Sequence, residues 1–275
     1  MGKQEINNTP EIMKKDALVI NAEATMEHTL LLRMALSAED SRAYWENLRP
    51  EISRKEIAKV AFEERWFGNK SMARIQLLLT NFRRRFDLYP QALKVLCKWQ
   101  PNEIKIRKNL CHWHLQLADP IYRDFTGAFL NERRMHPEPR VDRDIVARWL
   151  SQRIENKWAA STINRVSNNL ISSAAEAGML SPVPGVRKLQ YPHVDDLSLS
   201  YILYLLREVK FNGTILSNHY LMSVGLIEGN LSQRLRRLKD LKFSLMGGLQ
   251  EFDWAYSDLM DWANHIFSIH PEANE

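Results

Sequence analysis

The chain has 275 residues, 45% of them hydrophobic and 26% charged, the balance of a folded protein with a sizeable core rather than a disordered one. No run of 18 apolar residues occurs, no apolar stretch follows the first lysines, and two cysteines make no disulfide framework. The expectation is a soluble cytoplasmic protein without a membrane span, a secretory leader or, with Ile at position 6, a myristoylated Gly2.

The net charge is +5 and the pI is near 9.1, but the excess is unevenly spread. Residues 1–51 carry −3, residues 52–86 carry +6, residues 133–188 carry +5 and residues 229–243 carry +4, while 244–275 contain no Lys or Arg. Three separated basic islands point to a polyanionic partner, although solvated helix faces produce the same pattern.

Glycines and prolines are few and 3.6-residue periodicity dominates, so the fold class is mainly α with little β. After a polar tail, Ser37 is placed to cap a helix over SAEDSRAYWENL. A second helix is expected from Pro50, with Ile52, Ile57, Val60 and Ala61 on its buried face. The GNKS turn follows, and Ser71 caps a third helix in which Met72, Ile75, Leu79, Phe82 and Phe86 recur at helical spacing. Helix, Gly-containing turn and helix with a basic end outline a helix-turn-helix over about 53–86, an outline any α-hairpin shares. Lys70, Ser71, Arg74, Arg83, Arg84 and Arg85 are its candidate DNA contacts.

Helices are expected at about 90–98, 102–117 and 119–133. HPEPR at 136–140 is the candidate boundary between a domain of residues 1–136 and one of 137–275. Beyond it, Asp142 is placed to cap VDRDIVARWLSQRI, and a link containing Trp158 leads to a helix over STINRVSNNLISSAAEAG. That helix has two unlike faces: Ile163, Val166, Leu170, Ala174 and Ala177 form an apolar stripe. The other side shows Ser161, Arg165, Asn168 and Ser172, flanked by Asn164 and Asn169, and Ser161 and Thr162 at the helix start suit phosphate oxygens. Asn and Ser are poor helix formers but good hydrogen-bonding groups, and Arg and Asn make bidentate bonds to guanine and adenine. A Pro/Gly turn and a basic segment with Arg187 and Lys188 follow, so residues 142–193 match a winged helix that would set this face in a major groove.

An apolar helix over DDLSLSYILYLLREV and a short basic one containing Arg234, Arg236 and Arg237 come next, and GGLQEFDW alternates like a strand or hairpin. Cys97, Cys111, His112 and His114 include metal-ligating types, but adjacent Cys and His point to different helix faces. Cys97 and Cys111 read as core residues, and the eight tryptophans as core anchors rather than stacking platforms. No P-loop, G-x-G-x-x-G, H-E-x-x-H or G-x-S-x-G occurs, and Asp253, Asp258 and Asp261 lack a metal-binding spacing. A non-enzymatic protein without cofactor, metal or small-molecule substrate is expected.

STINRVSNNLISSAAEAGML, then LSLSYILYLLRE and GGLQEFDW, resembles the BrxA family of bacteriophage-exclusion (BREX) defence systems, most clearly over 140–260. The resemblance implies a nearly all-helical, non-enzymatic protein encoded with a methyltransferase, an ATPase and a phosphatase-like protein, and binding double-stranded DNA through helix-turn-helix elements. Other BREX subunits are the implied protein partners. The competing readings are a helical scaffold whose basic islands meet acidic subunits, and an RNA-binding helical domain.

Overall fold

The computed structural model describes residues 21–246 and 249–269. The segment around Gly2 and the glycines 247–248 lie outside them. The described chain is mainly helical, with two small antiparallel β-ladders.

The first half contains α1 (Ala38–Asn47), α2 (Ile57–Glu63), α3 (Met72–Phe82), α4 (Pro90–Trp99), α5 (Ile104–Ala118), α6 (Pro120–Asp124) and α7 (Leu130–Arg134). α5 organises the molecule: from Asn109 to its end every residue is buried, so it is an interior helix surrounded on all sides. The two histidines it carries inside are both hydrogen-bonded. His112 lies 3.0 Å from the Tyr122 hydroxyl and 2.9 Å from Ser223 Oγ, and His114 lies 2.7 Å from the Tyr201 hydroxyl. The CHWH stretch is therefore core. No group of His, Cys, Asp or Glu able to hold a metal ion occurs among the described residues.

Three expectations are corrected. α2 starts at Ile57 rather than Pro50, because Ser53 and Glu56 form a turn in which the Ser53 hydroxyl donates to the Glu56 carboxylate at 2.5 Å. α3 continues into a π-helical turn, Arg83–Asp87. Its extra residue per turn keeps Phe82 and Phe86 inside and carries Arg85 inside with them. Ser37 precedes α1 but does not cap it with its side chain; the Glu176 carboxylate instead accepts from the N–H groups of Ser37 (3.1 Å) and Ala38 (2.8 Å).

The second half contains β1 (Arg140–Val141), α8 (Arg143–Arg153), α9 (Ala160–Glu176), β2 (Arg187–Lys188), α10 (Asp196–Glu208), α11 (His219–Ser223), α12 (Glu228–Leu235), β3 (Leu241–Met246), β4 (Leu249–Trp254) and α13 (Leu259–Ile269). β3 pairs with β4 from Leu241 opposite Trp254 to Met246 opposite Leu249, so the alternating residues 249–254 are a strand antiparallel to 241–246. The Pro-rich turn at 136–140 is exposed, yet one hydrophobic core runs from Leu31 to Phe267 across it. Polar ties cross it too: Asn109 donates to the His193 carbonyl (2.8 Å), and Arg153 pairs with Asp124 (2.7 Å) and Glu27.

Candidate nucleic-acid interface

The surface in question is built by β1, α8, α9 and the hairpin after it. Asp142 accepts from the Ile145 N–H at 2.9 Å, satisfying a donor at the start of α8. Val146 and Leu150 face inward, and Trp149 packs its ring 4.9 Å from that of Phe129. The turn to α9 passes through left-handed Glu155 and Asn156. α9 begins with Ala159 in the N-cap position, so no side chain caps its first N–H groups.

Both faces of α9 fall as the periodicity requires. Ile163, Val166, Leu170, Ile171 and Ala174 are buried, whereas Ser161, Asn164, Arg165, Asn168 and Ser172 are exposed. Thr162 is half-buried. Among the described residues Arg165 has no carboxylate partner. Gly178, at φ +82°, ends the helix: its N–H bonds the Ala175 carbonyl (3.0 Å) and that of Met179 bonds Ala174 (2.8 Å). Those are the two bonds of a Schellman cap, and the left-handed position favours glycine.

The hairpin beyond is pinned at its base. Ser181 N–H donates to the Lys188 carbonyl and Gln190 N–H to that of Met179, both at 2.9 Å, with Leu180 bridged to Leu189. β2 also pairs with β1, Arg140 opposite Lys188 and Val141 opposite Arg187. β2 thus lies between β1 and the segment leaving α9. The Arg134 guanidinium stacks 4.0 Å over the Tyr191 ring and donates to the Gln190 carbonyl, anchoring the base further. The tip is apolar, with Val183 63% exposed between Pro182 and Pro184 and Val186 53% exposed after Gly185. Between tip and helix runs a groove of about 460 Å³ lined by Asn168, Ser172, Val186 and Arg187, with Asp142 and Asp144 at the α8 side.

The remaining sequence-derived candidates separate by what holds them. Arg85 is 2% exposed, and its guanidinium donates to the carbonyls of Leu36 (2.6 Å) and Ala35 (2.8 Å). Burial lowers its pKa, and it is out of reach of any phosphate at the surface. Lys70 is paired with Asp40 at 2.8 Å, and Ser71 is occupied as the α3 cap. Arg74 donates to the Arg33 carbonyl (2.8 Å) and Arg83 to that of Arg54 (3.1 Å). Asn169 is half-buried and donates to the Leu31 carbonyl. Arg187 donates to the Ser181 carbonyl (2.8 Å), and Arg234 pairs with Asp196. Arg84, Lys188, Arg236 and Arg237 are exposed and lack a carboxylate partner among the described residues. Sequence reasoning missed the acidic margin from α8, because which residues face α9 across the groove depends on tertiary packing.

Fold and surface together define a mainly helical protein that displays a polar, cation-bearing helix face beside a small β-hairpin. A protein-family model, BrxA, matches residues 28–203, and the chain belongs to the BrxA family; it is a component of the BREX type of phage defence. The crystal structure of an uncharacterized protein from Magnetospirillum magneticum is similar in fold. Its TM-score is 0.56 at 13% identity, over 73% of this chain and 98% of that one. No curated protein matches. No helix among the described residues is long and apolar enough to cross a membrane.

Proposed function

We propose that the chain is a double-stranded-DNA-binding, non-catalytic component of its defence system, with α9 in the major groove and the hairpin at 179–190 as a wing beside it. The observation that carries this reading is the exposed Ser161, Asn164, Arg165, Asn168 and Ser172 face, set on the second helix of an α8–turn–α9 unit. The strand order, with β2 between β1 and the segment leaving α9, supports a winged-helix assignment. The uncapped first turn of α9 offers N–H donors and the positive end of a 17-residue helix to a phosphate. Lys188 at the wing base adds a charge for the flanking backbone.

Two surface variants and one core variant test it. Arg165→Ala and Asn168→Ala exchange exposed side chains for a better helix former, so stability holds or rises slightly. Each is expected to lose about 1–3 kcal/mol of DNA affinity. Val166→Ala, buried one residue away, is expected to lower the melting temperature and leave the affinity of the folded protein intact. Affinity is measured by fluorescence anisotropy with a mixed-sequence duplex at two salt concentrations. Failure of the folded wild-type protein to bind at low salt would overturn the reading and favour the scaffold.

A further inference from the structure

Before α1, residues 21–36 form a strap laid along the body. Ala22 bridges Lys210, Ala24 N–H donates to the Leu117 carbonyl (2.8 Å), and Arg85 holds Ala35 and Leu36. Within three residues the strap touches both helical hairpins. Asn169 of α9 donates to the Leu31 carbonyl, and Arg74 of α3 donates to the Arg33 carbonyl at 2.8 Å. Leu30 and Leu31 also line one narrow crevice with Arg84, from the π-helical turn after α3. Arg165 stands one helical turn before Asn169, on the same side of α9.

Arg74 thus bonds the strap at Arg33, just after the single turn Leu30–Leu32. Arg84 shares the crevice of Leu30 and Leu31, and Arg165 lies on α9 one turn from the residue that bonds Leu31. Arg33, Arg74, Arg84 and Arg165 have no carboxylate partner among the described residues. The acids of the adjoining helices already have partners: Asp119, which lines the same crevice, accepts from the Tyr122 N–H and lies 3.5 Å from His28. Asp40 pairs with Lys70, Glu39 with Arg107 and Arg42, and Glu176 accepts from the start of α1. Like charges brought together without neutralisation repel one another, and a polyanion laid across them removes that repulsion.

Resting on the reading of α9 as a DNA contact, we infer that Arg33 contacts phosphate. The Leu30–Leu32 turn then joins the α2–α3 and α8–α9 hairpins into one cationic track for a single duplex. Arg33 interrupts the apolar run LLLRMAL, which in sequence has no visible connection to either basic island.

The test titrates the full chain, across a salt series, with duplexes of about 10 and about 30 base pairs, the shorter being roughly one helical turn. Each phosphate contact contributes about 0.9 to the slope of log affinity against log salt. Arg33→Gln is expected to flatten the slope on the longer duplex by about one such increment and to leave the shorter, which one hairpin occupies, unchanged. Arg33→Lys should restore it, and Arg84→Gln should reproduce the loss from a different element. Both arginines are exposed, so melting temperatures should match wild type. If Arg33→Gln and Arg84→Gln leave the long-duplex slope unchanged while Arg165→Ala weakens binding, the track is overturned and the α9 reading stands. If Arg165→Ala also has no effect, or the wild-type protein does not bind, the α9 reading falls and takes the track with it.

Discussion

His112 and His114 show how far burial changes the chemistry of a residue. Burial alone lowers the His112 pKa to about 3. His114 is lowered to about 4, chiefly by burial and further by the charge of Arg85, against the opposing pull of the Arg85 carbonyl. Both rings are neutral in the folded protein near neutral pH and titrate near 6.5 when the chain unfolds. Below that value the unfolded chain binds protons the folded chain refuses. Their contribution is therefore complete above 6.5 and is lost as the pH falls towards 4. The expected fall in unfolding free energy is about 1.4 kcal/mol per pH unit for each histidine across that window. His112→Gln or His114→Gln should lower stability at neutral pH yet reduce the slope between about pH 6 and about pH 5. Denaturant unfolding of wild type and variants at each pH measures this, and an unchanged slope would show that the histidines are not its source. The sequence argued against a metal site here, since adjacent Cys and His point to different helix faces. It marked Cys111 as core but did not show that both histidines are buried. It did not reveal their partners, Tyr122, Ser223 and Tyr201, the last two of which lie about a hundred residues away.

At the scale of elements, legibility followed periodicity. α9 was readable almost to the residue because one stripe of apolar side chains and one Gly-terminated end define it completely. The basic end of α3 was not, because a π-helical turn breaks the 3.6-residue count at the point where the arginines begin. RRR therefore reads as one exposed charge run but holds three different environments. Arg83 is tied to a backbone carbonyl, Arg84 lies in solvent, and Arg85 is in the core. The consequence is measurable residue by residue. Arg85→Gln leaves two buried carbonyls with weakened or missing donors, and bonds from a charged donor are worth about 1.5–3 kcal/mol each. A loss of at least about 3 kcal/mol of stability is expected for it. Arg84→Gln should stay within about 0.5 kcal/mol of wild type, as surface exchanges do. Equal stability of the two variants would mean that Arg85 is not anchored in the core. A triple replacement of the run would confuse this loss with any loss of DNA contact.

Across the whole molecule, the exposed turn at 136–140 joins two halves that are fastened at several points. Glu176, the last residue of α9, caps α1 from the other half, and Asn169 holds the strap that Arg74 and Arg85 hold from the opposite side. α5, from the first half, lies under α9 and α10, from the second. None of this is visible in a Pro-rich linker, whose composition reports exposure and stiffness but not what packs beneath it. A core shared in this way couples the halves energetically, so opening one exposes apolar surface of the other. The chain is therefore expected to unfold in one cooperative transition, with amides of α1 and α9 exchanging at similar free energies. Glu176→Ala should destabilise by about 0.5–2 kcal/mol, the usual cost of losing a helix cap. Because the cap spans the two halves, protection should fall in α1 and α9 together. Hydrogen exchange of wild type and Glu176→Ala reads both effects at once. Two separate transitions, or a loss of protection confined to α1, would mean that the halves fold as independent domains and that the α9 surface does not depend on the strap.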